Sequence, residues 1–252
     1  IADATVPLGP LTVLVGPNGS GKTNVLNVLR FLNATIRFDL SSAMENFGGF
    51  EHVLRADGAT KRVHFDIEAI VTAHAHDGAR DRYVLDISRQ RGEVLSRSEE
   101  FTFKRFRGQG RRITVNGSTV TFGAAHGRGR QIKLADAQTT GLSTLPKLAP
   151  DQGGEGIDDF AAFVSSIRVL EPDVVAARQP SRLYGADLAE DASNLADALL
   201  GLREVSPQAF ADLENDLSRC LPGLERISFA TPGGSTRTVV VQLEERGLAR
   251  PI

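Results

Sequence analysis

Hydrophobic and polar positions follow different periods in different parts of the chain. A short apolar run, formed by Leu11, Val13, Leu14 and Val15, predicts a buried parallel strand. Between residues 22 and 32 the apolar positions recur at helical spacing, and no Gly or Pro interrupts them. This part of the chain is therefore predicted to run as a strand, a glycine-containing loop and a helix.

Beyond the predicted helix the period changes to two. Residues 63–67 and 83–87 alternate between apolar and polar side chains, with a turn signal at residues 76–78 between them. Residues 113–122 alternate around Asn116-Gly117, which is the strongest short hairpin signal. The pattern predicts an antiparallel sheet.

Helical patterning returns in the second half of the chain. It predicts helices at residues 157–169, 192–204 and 207–220, the last with Pro207 near its start and Gly223 after its end. Two short apolar runs, residues 224–230 and 239–245, flank a Pro-Gly-Gly turn and predict a hairpin.

The composition narrows the class of protein. The 252 residues are 41% hydrophobic and 24% charged with a net charge of −2, which is ordinary for a globular protein. A single cysteine excludes an internal disulfide and indicates a reducing cytoplasm. No apolar run approaches the roughly 18 residues of a membrane-spanning helix, so no membrane partner is expected.

The loop at residues 16–23 carries the clearest chemistry. It matches G-x-x-x-x-G-K-[ST] in the required context of strand, loop and helix, which predicts a site for the phosphates of Mg·ATP. Its glycines allow backbone N–H groups to point inward, Lys22 is expected at the β- and γ-phosphates, and the Thr23 hydroxyl is expected on Mg²⁺. The predicted nucleotide-binding residues are Gly16, Pro17, Asn18, Gly19, Ser20, Gly21, Lys22 and Thr23.

The stretch GPNGSGKTNVLNVLRFL resembles the ATP-binding motif of the SMC/RecF-like branch of the ABC ATPases. Looser similarity to the same family extends over residues 47–58, 188–204 and 210–229. The resemblance implies an α/β fold: the N-terminal lobe of a P-loop NTPase head with an antiparallel β insertion and a helical region. It also implies face-to-face ATPase heads that act in DNA repair, chromosome handling or defence against foreign DNA.

On this basis the chain divides into four segments of one ATPase lobe. They are the P-loop strand and helix (1–40), an antiparallel β region with basic hairpins (41–135), a helical region (136–222) and a β-hairpin (223–252). The expected partner is a second copy, giving a homodimer, or a complementary C-terminal ATPase lobe.

The motifs that ATP hydrolysis requires are not found in the sequence. There is no Leu-Ser-Gly-Gly-like signature, and the best acidic candidate, VVVQLEE at residues 239–245, lacks an Asp and is interrupted by Gln242. YVLD at residues 83–86 is no better, since it lies on an alternating strand. ATP hydrolysis is therefore expected only with motifs that would follow this lobe, and the catalytic residues are unknown.

The remaining candidates concern Mg²⁺ and DNA. Gln131 and Gln138 are candidates for a Gln that contacts Mg²⁺ in this family, and Gln138 is preferred because it lies nearer the return to helical structure. Residues 101–133 contain basic residues but no acidic one. This window is interpreted either as a contact with the phosphates of DNA or as a solvated surface. The resemblance also allows a nuclease as a partner. The basic residues of this window are Lys104, Arg105, Arg107, Arg111, Arg112, Arg128, Arg130 and Lys133.

Two other classes of function remain open. A P-loop small-molecule kinase would need an acceptor site and an Arg-rich lid, and the long β region argues against it. A nucleotide-dependent interaction module that does not hydrolyse ATP is compatible with the missing acidic motif.

Overall fold

A computed structural model describes residues 3–54, 61–89, 95–104, 110–123, 130–147, 154–185, 187–234 and 237–247. The chain forms two compact units, residues 1–167 and 168–252. The boundary falls inside the predicted helical region, and the division into four segments of one lobe stays a prediction.

The first unit contains a six-stranded antiparallel sheet in which the strands follow one another in chain order. The predicted alternation at residues 63–67 and 83–87 is confirmed, because these residues belong to the first two strands. The strands are β1 (Arg62–Ala69), β2 (Asp81–Arg89), β3 (Leu95–Phe103), β4 (Arg111–Asn116), β5 (Thr119–Gly123) and β6 (Arg130–Lys133).

Five α-helices accompany the sheet in the described part of this unit. Residues of all five join the inward side chains of the strands in a single hydrophobic core, whose members include Phe31, Leu85, Phe101 and Phe160. The predicted helix at residues 157–169 is found, although it begins and ends three residues earlier. The helices are α1 (Lys22–Arg37), α2 (Leu40–Glu45), α3 (Phe50–Val53), α4 (Gly141–Thr144) and α5 (Gly154–Ser166).

The hairpin predicted around Asn116-Gly117 is also confirmed. Asn116 pairs with Thr119, so the two turn residues are Gly117 and Ser118, one position later than the dipeptide signal suggests. Gly117 has a φ of 53°, the left-handed conformation that glycine adopts without strain.

The buried strand predicted at residues 11–15 is wrong for this structure. Leu11 is 85% exposed, Val13 72% and Val15 90%. A parallel strand is buried when other strands pair with its edges and helices cover both faces of the resulting sheet. No strand in the described part of the chain pairs with this segment.

The second unit has a three-stranded antiparallel sheet in the order β7 (Ser181–Arg182), β9 (Thr238–Glu245) and β8 (Leu224–Ala230). The pairing of β8 with β9 confirms the predicted hairpin, and helix α8 (Pro207–Cys220) has the predicted bounds. The helix predicted at residues 192–204 begins at Leu195 instead of Ala192, because Ala192 has a φ of 60° and does not adopt the helical conformation. The elements are α6 (Val174–Ala177), β7 (Ser181–Arg182), α7 (Leu195–Val205), α8 (Pro207–Cys220), β8 (Leu224–Ala230) and β9 (Thr238–Glu245).

Candidate nucleotide-binding site

The phosphate loop leads directly into α1. Gly19 and Gly21 have φ values of 82° and 94°, so the predicted need for glycine is confirmed at both positions. At Gly16 a Cβ atom would lie 2.9 Å from Ser20 Oγ, so the exposed Ser20 side chain would have to rotate to make room for it. The strict need for glycine in the loop therefore lies at positions 19 and 21, where another residue would be strained.

Lys22 lies across this loop. Its Nζ donates hydrogen bonds to the carbonyl oxygens of Gly16, at 2.7 Å, and Pro17, at 2.8 Å. The ammonium group is thus held at the loop. Thr23, the next residue in the chain, is exposed and carries a hydroxyl group.

The N-terminus of α1 adds a positive electrostatic potential to the site. Its N-cap residue, Gly21, provides no side-chain hydrogen bond, and the first turn contains no acidic residue. The first N–H groups of a helix lack partners within the helix and attract anions. Because α1 is 16 residues long, the aligned dipoles of its peptide groups add to this attraction. Ammonium, helix end and hydroxyl are the groups that a magnesium-bound phosphate requires.

Gln138 lies at the other end of α1. Its carbonyl oxygen accepts a hydrogen bond from Leu40 N–H at 2.9 Å, and its Nε2 donates to the Leu95 carbonyl at 3.1 Å. Leu40 follows the end of α1, whose length from Thr23 to Arg37 is about 21 Å at the usual rise per residue. The structure does not bring Gln138 and Thr23 together, and a Mg²⁺ role for Gln138 stays a prediction.

The described basic residues of the 101–133 window do not all lie on one surface of the sheet. Arg105, Arg107 and Arg128 lie outside the described residues. Arg111 and Arg112 are adjacent on β4 and therefore point to opposite faces of the sheet.

The sheet also places acidic residues beside some of these cations. Arg112 forms an ion pair with Glu100 at 2.5 Å, although Glu100 precedes the window in sequence. Lys104 lies near Glu68 and Asp77 in a surface concavity of about 480 Å³. Arg130 and Lys133 are exposed on the edge strand β6.

The carboxylates considered for ATP hydrolysis, at residues 239–245 and 83–86, contact side chains on neighbouring strands. Glu244 lies on β9 and pairs with Arg226 at 2.5 Å, a contact that lowers the pKa of the Glu244 carboxyl. Asp86 lies on β2, where its Oδ1 is 2.8 Å from His64 Nδ1. Among the residues that the structure describes, no group of three or more His, Cys, Asp or Glu side chains could hold a metal ion.

Sequence patterns missed a buried polar cluster behind α1. Arg97 and Glu99 lie on the inward face of β3, with Arg97 NH1 2.9 Å from Glu99 Oε1 and both side chains fully buried. Glu99 also accepts hydrogen bonds from the Tyr83 hydroxyl, at 2.7 Å, and from Gly141 N–H, at 2.8 Å and 2.9 Å. Burial raises the pKa of the Glu99 carboxyl, while Arg97 and these two donors oppose that rise.

The comparison with protein families agrees with the loop. Residues 11–115 match the family described as "AAA domain, putative AbiEii toxin, Type IV TA system", a region that contains the loop, α1 and strands β1–β4. No curated protein and no solved structure matches the chain. In the described part of the chain, no helix combines the length and the apolar character needed to cross a membrane. The family match supports an AAA-type, P-loop ATPase-like domain with a nucleotide-binding function, in a mixed α/β fold.

Proposed function

We propose that residues 16–23 bind the phosphates of ATP together with Mg²⁺. The geometry of the loop carries this proposal, because Gly19 and Gly21 adopt left-handed conformations and Lys22 Nζ lies within 2.8 Å of two loop carbonyls. Lys22 exchanges these carbonyls for phosphate oxygens, and Thr23 supplies a hydroxyl ligand to Mg²⁺.

The finer assignment is an ATP-binding lobe of an SMC/RecF-like ABC ATPase. The exposed apolar segment at residues 11–15 supports a partner that supplies neighbouring strands, either a second copy or a complementary C-terminal lobe. ATP-driven association would then serve DNA repair, chromosome handling or anti-phage defence. The toxin–antitoxin wording of the family description favours defence among these three.

Hydrolysis, in this proposal, depends on an acidic residue contributed by the partner. The contact of Glu244 with Arg226 supports this dependence, since the best acidic candidate of the chain is already engaged on its own hairpin. The same observation favours a second candidate function, a nucleotide-dependent interaction module that does not hydrolyse ATP.

Thermal unfolding with and without Mg·ATP tests the proposed site. ATP at 100 times its Kd is expected to stabilise the chain by about 2.7 kcal/mol, and Lys22→Ala is expected to abolish the shift. Lys133→Ala, an exposed cation on β6, is the matched control and should keep the full shift. An equal shift in Lys22→Ala and wild type would contradict the assignment of the loop.

Phosphate release, measured in the same samples, separates the two candidate functions. The ATPase proposal expects no release by the chain alone and release when a partner lobe is added. Stabilisation by ATP without release in either case would identify the interaction module. Release by the chain alone would place a catalytic acid within it.

The proposed DNA contact is best tested on β6, where Arg130 and Lys133 are exposed. Replacing both by Ala is expected to weaken DNA binding and to reduce the slope of log K against log salt by about 2. Arg62→Ala, an exposed cation on β1, should leave the slope unchanged. An unchanged slope in the double variant would exclude these residues as phosphate contacts.

A further inference from the structure

Residues 138–141, named here the strap, connect the far end of the phosphate-loop helix to strand β3. On the helical side, Leu40 N–H donates to the Gln138 carbonyl and Thr140 Oγ1 donates to the Thr35 carbonyl, both at 2.9 Å. On the strand side, Gln138 Nε2 donates to the Leu95 carbonyl at 3.1 Å. Gly141 N–H, at the other end of the strap, donates to the Glu99 carboxylate.

The strap is buried at Thr140 and Gly141 and half-buried at Gln138. Thr35 and Thr140 are fully buried and Glu99 is 1% exposed, so water does not replace a contact that is lost there. The packing is also tight, since a Cβ atom on Gly141 would lie 2.9 Å from Phe101 Cε2. A displacement of α1 therefore breaks buried hydrogen bonds or moves the strap and β3 with it.

Arg97 lies on β3 between the two positions that the strap contacts. Its guanidinium is close to Glu99, but none of its three nitrogens has a hydrogen bond of good geometry. Gln138 Oε1 and Thr139 Oγ1 of the strap are also buried without hydrogen-bond partners. Each buried polar group without a partner costs free energy, so a second arrangement of the strap that pairs it would recover that cost.

We propose that the strap is a two-state coupler that transmits a displacement of α1 to β3. Together with the proposed nucleotide site, on which this consequence rests, the coupler links occupancy of the phosphate loop to the six-stranded sheet. The buried Thr140–Thr35 hydrogen bond carries the displacement from the helix, and the Glu99–Gly141 contact delivers it to the strand.

Amide hydrogen exchange with and without Mg·ATP tests the coupler. In the wild type, ATP is expected to slow exchange in α1 and in β3. In Thr140→Val the slowing in α1 is expected to persist, while that in β3 falls about fivefold, as expected for loss of one buried hydrogen bond. Equal β3 protection in Thr140→Val and wild type, or none in wild type despite protection of α1, overturns the proposal.

Two variants control for nonspecific damage. Thr144→Val removes a hydrogen bond to the Thr140 carbonyl within the same helical turn but leaves the Thr140–Thr35 hydrogen bond in place, so it should behave as wild type. Thr140→Ser keeps the donor and should restore β3 protection. A loss of β3 protection in Thr144→Val equal to that in Thr140→Val would also overturn the assigned role of the Thr35 contact.

A second arm needs no nucleotide and separates failure of the coupler from failure of the nucleotide site. Asn24→Gly weakens the exposed first turns of α1. Exchange in β3 is expected to accelerate about twofold in this variant, but not when Thr140→Val is present as well. No slowing of α1 by ATP would contradict the nucleotide site alone, whereas unchanged β3 exchange in Asn24→Gly would contradict the coupler.

Discussion

The two halves of α1 lie in different surroundings. At its start, the phosphate loop and the preceding segment are open to solvent, with Leu11 85% and Val15 90% exposed. Toward its end, Phe31 and Leu32 are only 3% and 1% exposed, packed in the core of the sheet. The chemistry of the loop is therefore local, needing only glycines, a lysine and a helix end, whereas burial of its strand requires other strands.

The largest expected effect separates the two regions directly. Phe101→Ala, in the fully buried part of β3, is expected to lower the free energy of unfolding by about 3–5 kcal/mol because it leaves a cavity. Val15→Ala is expected to change it by less than about 0.5 kcal/mol. Urea unfolding measures both. Similar losses in the two variants would mean that residues 11–15 are buried in solution, as they would be in an assembly.

A smaller effect sharpens the contrast within α1 itself. Asn33 Nδ2 donates to the carbonyl oxygens of Val164, Ser165 and Ile167 at the end of α5, at 3.2–3.4 Å. Asn33→Ala removes the side-chain donor shared by these part-buried carbonyls and is expected to cost about 1–2 kcal/mol in urea unfolding. Asn24→Ala, on the exposed half of the same helix, is the control and should cost nothing. Equal stability of the two variants would show that α5 does not anchor α1 through Asn33.

The smallest effect concerns the open face of the sheet. Arg82 forms two hydrogen bonds with Asp66 and holds the pKa of this carboxyl below its ordinary value of 3.8. The stabilisation is therefore present above pH 3.8 and is lost as the pH falls through the lowered pKa. Because both side chains are partly exposed and screened by solvent, Asp66→Asn is expected to cost only about 0.5 kcal/mol at neutral pH.

Urea unfolding as a function of pH measures this difference. The gap between wild type and Asp66→Asn should close as the pH falls below 3.8. Asp77→Asn, which removes a more exposed pair with Arg80, is the control and should change the stability at neutral pH less than Asp66→Asn does. A gap that is independent of pH would exclude ionisation of Asp66 as the source of the stabilisation.

The sequence predicted those helices and strands whose apolar residues recur at a regular spacing. The alternation in β1 and β2, the hairpins of β4 with β5 and of β8 with β9, and the bounds of α8 were all available from local spacing. Strand β3 was not singled out, because Arg97 and Glu99 occupy inward positions where the pattern expects apolar residues. The hydrogen bonds of Asn33 and of the strap leave no periodic signal either.

The sequence by itself determined the chemistry of the phosphate loop. Its glycines and Lys22 act through backbone conformation and contacts within six residues of one another, which a short motif fixes. Only the tertiary structure decided that the Arg97–Glu99 pair is buried, that Glu100 neutralises Arg112, and that residues 11–15 are exposed. These outcomes depend on which distant segments come together, and burial and charge pairing are properties of neighbours in space.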